Sequence, residues 1–173
     1  GPQHDDILAA HRNYGDVLEK NGGNDDISTA YNLGSLTPTA ISAPAASLVI
    51  GTDADDDTAR VFENENDFES IDGGSDKDWY AFYLTTAREV TQQLDPRGPT
   101  YNEGPEGGTQ TPLNTKALAD LVVQLHDAAG NFITIGNYTG AGFGESISRF
   151  LDAGDYYAFI RTQSGSANNV QMY

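Results

Sequence analysis

Short runs in which apolar and polar residues alternate, each closed by Gly, Asp or Asn, occupy the chain from residue 24 onward and leave no interleaved helical pattern. A period of two puts alternate side chains on opposite faces of a strand. The clearest run is Asp78-Trp79-Tyr80-Ala81-Phe82-Tyr83-Leu84, with Tyr80, Phe82 and Leu84 on one face and Trp79, Ala81 and Tyr83 on the other. Glu89 to Leu94 comes next with Val90 and Leu94 as its apolar side, and then Leu121, Val123 and Leu125 alternate. Asp127-Ala128-Ala129-Gly130-Asn131 predicts a hairpin into Phe132–Ile135. Glu145–Leu151 and Tyr156–Arg161, joined by Asp152-Ala153-Gly154, read as a second hairpin, and a last strand starts at Asn168. Many short strands without helices between them predict an all-β fold, an antiparallel β-sandwich. Its expected core includes Tyr80, Phe82, Val90, Leu121, Val123, Leu125 and Phe159.

The flank differs. Ile7, Leu8, Tyr14, Val17 and Leu18 recur at spacings of three and four, which predicts a short N-terminal helix within residues 5–20. Gly1-Pro2 has the look of a protease-cleavage scar, so the missing targeting segment carries no meaning. Asn21-Gly22-Gly23-Asn24-Asp25-Asp26 reads as a break, dividing the chain into a flank, 1–23, and a sandwich, 24–173. Two stretches fit no strand: residues 52–60, an exposed acidic loop, and residues 95–116, a Gly- and Pro-rich loop inserted between two strands.

The formal net charge is −17, from 26 acidic and 9 basic side chains. Such a surface repels phosphate backbones and anionic membranes, so neither nucleic acid nor membrane insertion is expected. No run approaches the roughly 18 apolar residues of a membrane helix. With no cysteine the chain has neither disulfides nor thiolate metal sites. The acidity is either a plain solvated surface or a supply of oxygen ligands for a hard cation such as Ca²⁺.

Catalytic patterns are missing. The histidines are His4, His11 and His126, without an H-E-x-x-H pair, and no G-x-S-x-G elbow occurs. No pair of carboxylates is singled out by spacing, so the chain is expected not to be an enzyme. Two acidic patches far apart in sequence are the better candidates. One holds Glu19, Asn21, Asn24, Asp25 and Asp26, and the other holds Asp72, Asp76 and Asp78 just before the Trp79 strand. The plainer alternative is that Asp25 or Asp26 starts a turn and Asp78 is a solvated strand end. Trp79 and Tyr83, opposite the expected core, are candidate substrate-contact rings, unless the outer face also needs aromatic filling.

Four segments, in order, resemble the bacterial pre-peptidase C-terminal (PPC) domain: Asn24 to Gly34 (NDDISTAYNLG), Ser75 to Phe82 (SDKDWYAF), Asp120 to Asn131 (DLVVQLHDAAGN) and Leu151 to Tyr157 (LDAGDYY). The resemblance implies a jelly-roll-like β-sandwich located after the catalytic domain of a secreted peptidase. His4 to Gly15 (HDDILAAHRNYG) resembles the last helix of matrixin-type zinc metallopeptidases, which implies zinc in an upstream catalytic domain and not in this chain. Calcium-binding members of the family, including the collagen-binding modules of clostridial collagenases, join a linker of this kind to acids before the Trp strand. The resemblance therefore implies one Ca²⁺ site shared by Glu19, Asn21, Asn24, Asp25, Asp72, Asp76 and Asp78. It also implies a secreted or cell-surface, monomeric accessory domain that positions a peptidase on an extracellular protein or polysaccharide. The alternatives are a structural or secretion module removed by processing, and a carbohydrate-binding module.

Overall fold

The computed structural model describes residues 23–37, 48, 70–71, 75–98, 100–165 and 171–173. The expected N-terminal helix, the flank with Glu19 and Asn21, Asp72, and the acidic loop at 52–60 lie outside the described residues.

Eleven strands are described: β1 Tyr31–Leu36, β2 Ser70–Ile71, β3 Lys77–Leu84, β4 Arg88–Leu94, β5 Thr100–Glu103, β6 Thr111–Asn114, β7 Ala119–Asp127, β8 Phe132–Gly136, β9 Glu145–Leu151, β10 Gly154–Gly165 and β11 Gln171–Met172. Two single-turn 3₁₀ segments, Ile27–Thr29 and Thr115–Ala117, are the only helical elements among the described residues. One sheet has the order β1-β3-β10-β7-β8, and β4 pairs with β9, β2 with β11 and β5 with β6. The fold is an all-β sandwich. Its pairs are antiparallel apart from β1, which runs parallel to β3 from Tyr31 opposite Tyr80 to Leu36 opposite Leu84.

The core forms where the inner face of the five-stranded sheet meets β4 and β9. Tyr80, Phe82 and Leu84 from β3, Leu121, Val123 and Leu125 from β7 and Ile160 from β10 pack with Val90, Leu94, Ile147 and Leu151. Each set keeps the period of two along its strand, which is why alternation locates it. Every residue expected in the core is buried; Phe159 is buried too, but on the outer face beside Trp79.

The β7–β8 hairpin forms as its turn chemistry predicts. The Asp127 carboxylate accepts from the N–H groups of Ala129 (2.9 Å) and Asn131 (2.8 Å) and from Asn131 Nδ2 (3.0 Å), while Gly130 takes φ +79°. That backbone conformation costs glycine nothing and a branched side chain a good deal.

Three sequence expectations need correction. Glu145–Leu151 and Tyr156–Arg161 are not a hairpin: β9 pairs with β4 and β10 with β3 and β7, so Asp152-Ala153 carries the chain from one sheet to the other. The 95–116 stretch is not a plain loop. It contains the β5–β6 hairpin, closed by a turn in which Gly108 N–H donates to Pro105 O at 3.0 Å, and then the 3₁₀ turn at Thr115–Ala117. The sheet is also not wholly antiparallel, because β1 is parallel to β3.

Candidate functional site

The segment before β1 meets the start of β3 through Asn24. Trp79 N–H donates to Asn24 O at 2.9 Å, and Asn24 Nδ2 donates to Trp79 O at 3.3 Å. The ladder that β1 makes from Tyr80 onward is thus continued at Trp79 by Asn24. Because Trp79 O only accepts, the amide nitrogen must face it, and Asn24 Oδ1 is left buried without a hydrogen-bond donor among the described residues. Asn24 is wholly buried, and a buried acceptor lacking a donor costs about 1–3 kcal/mol.

Asp78, one residue before Trp79, is also wholly buried. It is therefore not a solvated strand end. The alternation that buries Tyr80, Phe82 and Leu84 places Asp78 on the same inward face. The Tyr173 hydroxyl donates to Asp78 Oδ2, and the Tyr173 and Tyr80 hydroxyls lie 2.6 Å apart. Tyr173 has one hydroxyl hydrogen and gives it to Asp78, so Tyr80 donates to Tyr173. The three groups form a buried relay directed at the carboxylate.

The other acids differ. Asp26 caps the 3₁₀ turn: its Oδ1 accepts from Ser28 N (3.0 Å) and Ser28 Oγ (3.1 Å), and Thr29 Oγ1 receives its N–H at 3.3 Å. The two Ser28 bonds, the N–H foremost, hold its carboxyl below the usual aspartate range. Of the paired alternatives at this position, the turn-starting role therefore falls to Asp26. Asp25 is exposed and Asp76 half-buried. The structure brings Asn24 to the main chain of Trp79, the residue after Asp78, at the start of β3. Among the described residues, no three His, Asp or Glu side chains are grouped so as to hold a metal ion.

Trp79 is half-buried on the outer sheet face. Its ring lies 4.4 Å from Phe159, 5.0 Å from His126 and 6.2 Å from Tyr157, centroid to centroid. His126 is held in turn, with Nδ1 3.0 Å from Gly130 O and Nε2 3.1 Å from Gln124 Oε1. Tyr83, two residues beyond Ala81, is 40% exposed on that face.

Sequence reasoning misses Tyr173, whose contact with Asp78 spans 95 residues and leaves no local signal. It also misses Glu145, which is buried and accepts from Tyr138 N (2.9 Å), Thr139 N (2.7 Å) and Thr139 Oγ1 (2.6 Å). These bonds fix the β8–β9 loop, which displays Tyr138 at 79% and Phe143 at 69% exposure. Burial acts to raise the Glu145 pKa, but the Thr139 hydroxyl and the two N–H groups outweigh it, and the carboxyl lies below its ordinary 4.5. A depressed folded-state pKa gives stability that is present above the unfolded value and is lost as pH falls through the folded one. Glu145→Gln is therefore expected to lower the melting temperature at pH 7 by a few degrees, on the order of 1–2 kcal/mol. The gap from wild type should close as pH drops below about 4.3. A gap that is constant from pH 7 to pH 3 in thermal melts would contradict the assignment.

No protein-family model matches the chain, and no curated protein matches it in sequence. Among solved structures it is similar to the crystal structure of the pre-peptidase C-terminal domain of collagenase from Bacillus anthracis. The identity is 17%, over 61% of this chain and 82% of that one, and the TM-score is 0.38. No helix among the described residues is long and apolar enough to cross a membrane.

Proposed function

We propose that this chain is a non-catalytic, calcium-binding accessory domain of a secreted bacterial metallopeptidase, and that it helps hold the enzyme on an extracellular substrate. The observation that carries the calcium reading is Asn24 Oδ1, a buried oxygen without a donor among the described residues, on a residue bonded to the strand that carries the wholly buried Asp78. A hard cation takes oxygen ligands of this kind, amide carbonyl and carboxylate together. The ligands the resemblance implies are Asn24, Asp25, Asp76 and Asp78, with Glu19, Asn21 and Asp72 from the flanking segments; this structure does not group Asp25, Asp76 and Asp78 around one point. The ion would supply charge neutralisation in a chain of net charge −17 and a cross-link between its opening segment and β3. Zinc chemistry, in this reading, belongs to the upstream catalytic domain.

A second reading, a carbohydrate-binding module, is favoured by one feature: the exposed rings of Tyr138 and Phe143 on a loop fixed by Glu145.

Thermal melts in millimolar calcium and in EDTA test the proposal. A ligand that binds only the folded state at 100 times its Kd adds about 2.7 kcal/mol. That should raise the melting temperature by roughly 5–10 °C. Asp76→Ala should remove most of the rise, whereas a double change at Asp55 and Asp56 should leave it. A melting temperature indifferent to both additions, with no calcium by elemental analysis, would refute the site. The same preparation is expected to hydrolyse neither peptides nor glycosides. Retention on insoluble collagen, cellulose or chitin, with and without chelator, separates the two readings.

A further inference from the structure

We infer that the outward face of the β4–β9 pair binds an uncharged polysaccharide, with the Phe150 ring as its stacking platform. That face deepens the carbohydrate reading above and rests on it, and it requires no cation.

The two faces of the pair differ in kind. Inward, Val90 and Leu94 of β4 join Ile147 and Leu151 of β9 in the core. Outward, Glu89 stands opposite Phe150, Thr91 opposite Ser148 and Gln93 opposite Ser146, and all six are exposed. Five of them are polar; the sixth, Phe150, is 68% exposed. Core filling does not account for this ring, because the period of two directs it away from the core. A single exposed apolar residue is ordinary, but this one stands beside an ordered set of polar groups. Ser148 Oγ donates to Glu89 Oε1 at 3.2 Å, and Thr91 Oγ1 lies 2.9 Å from Ser148 Oγ. Ser148 has one hydroxyl hydrogen and gives it to Glu89, so Thr91 donates to Ser148. Both hydroxyl hydrogens are used within the face. What remains beside the ring is a set of acceptors, the Glu89 carboxylate and the Thr91 oxygen.

That mixture selects the partner. The core of a protein interface needs contiguous apolar area, and this face offers one ring among five polar side chains. The Glu89 carboxylate and a net charge of −17 repel nucleic acid and acidic glycans. An uncharged sugar chain matches both halves. The C–H face of a pyranose lies flat on an aromatic ring, and its hydroxyls donate to carboxylate and hydroxyl oxygens. The three cross-strand pairs extend about 13 Å along the strands, room for a chain lying parallel to β9. The row runs from Phe150 back to Glu145, whose hydrogen bonds fix the loop that displays Tyr138 and Phe143. β9 therefore has exposed rings at its exit and at its entry, with the hydroxyls of Ser146 and Ser148 between.

Depletion binding of the full chain to insoluble cellulose and to chitin is the test, with insoluble collagen as the protein control. Wild type is expected to bind at least one of the two polysaccharides, with a Kd that added sodium chloride leaves unchanged. Phe150→Ala should raise that Kd about tenfold, whereas Phe150→Tyr, which keeps the ring, should hold it within about twofold. Ser148→Ala breaks the relay between Thr91 and Glu89 and should raise Kd severalfold; it also serves if Phe150→Ala fails to fold. Because the ring is exposed, Phe150→Ala should melt like wild type. Retention that Phe150→Ala leaves unchanged would overturn this face, while the carbohydrate reading stands and its contact moves to Tyr138 and Phe143. Retention on neither polysaccharide would overturn both, and Phe150-dependent retention on collagen, or Phe150-dependent self-association, would then assign the face to a protein.

Discussion

Asp78→Ala is expected to destabilise the domain by about 2–5 kcal/mol, lowering the melting temperature by roughly 5–15 °C, with or without calcium. The loss has two parts. Truncation removes the acceptor at the end of the Tyr80–Tyr173 relay, and a buried hydrogen bond to a carboxylate lost in this way costs about 1–3 kcal/mol. It also opens a void at a wholly buried position, since a packed interior collapses only in part around a deletion. Burying a carboxylate has its own desolvation cost, which acts in the opposite direction. Breaking only one partner of a buried polar set is, however, the unfavourable way to remove it. Asp78→Asn separates stability from binding. It keeps the volume and an acceptor for Tyr173, so apo stability should stay close to wild type, while loss of the charge should abolish the calcium response. Circular-dichroism melts of both variants, with calcium and with EDTA, provide the comparison. Asp78→Ala melting within about 2 °C of wild type in EDTA would remove the relay as a source of stability.

Much of the fold is legible in the sequence because half-buried strands write their orientation into a period of two. Tyr80, Phe82, Leu121, Val123 and Leu125 fall in the core on that basis alone. The same alternation bears on Asp78, two residues before Tyr80, but its polarity suggests solvent. Strand partners are less legible. Alternation tells which face a residue takes and nothing about its neighbour, so β9 and β10, adjacent in sequence, read as a hairpin although they belong to different sheets. Local composition misleads at 95–116. Pro112 and the glycines before it suppress a strand signature, yet Pro112 lies in β6, in a two-stranded pair where one missing N–H is tolerated. Within the candidate site, Asn24 and Asp78 stand out because acids and amides cluster locally. Tyr173 does not, because a buried hydroxyl relay across 95 residues is a product of packing.

Trp79→Ala should cost about 2–4 kcal/mol, somewhat less than a fully buried tryptophan would. Its ring is half-buried among Phe159, His126 and Tyr157, and removing it strips contacts from all three. That packing makes Trp79 chiefly a filler of the outer sheet face, and its loss should lower the melting temperature by roughly 5–15 °C. Tyr83 is the contrasting case. It is 40% exposed, and across the sheet it pairs with Ser35 on β1 and Asp155 on β10, neither of which can enclose a ring. Tyr83→Ala should therefore change stability by less than about 1 kcal/mol. The pair of variants separates filling from contact. If the outer face holds the substrate, Tyr83→Ala will weaken retention on the insoluble polymer that wild type binds while leaving the melt unchanged. Undiminished retention would move the contact surface to the exposed rings of Tyr138 and Phe143. A Trp79→Ala protein that melts like wild type but no longer binds would reverse the assignment and make the tryptophan the contact residue.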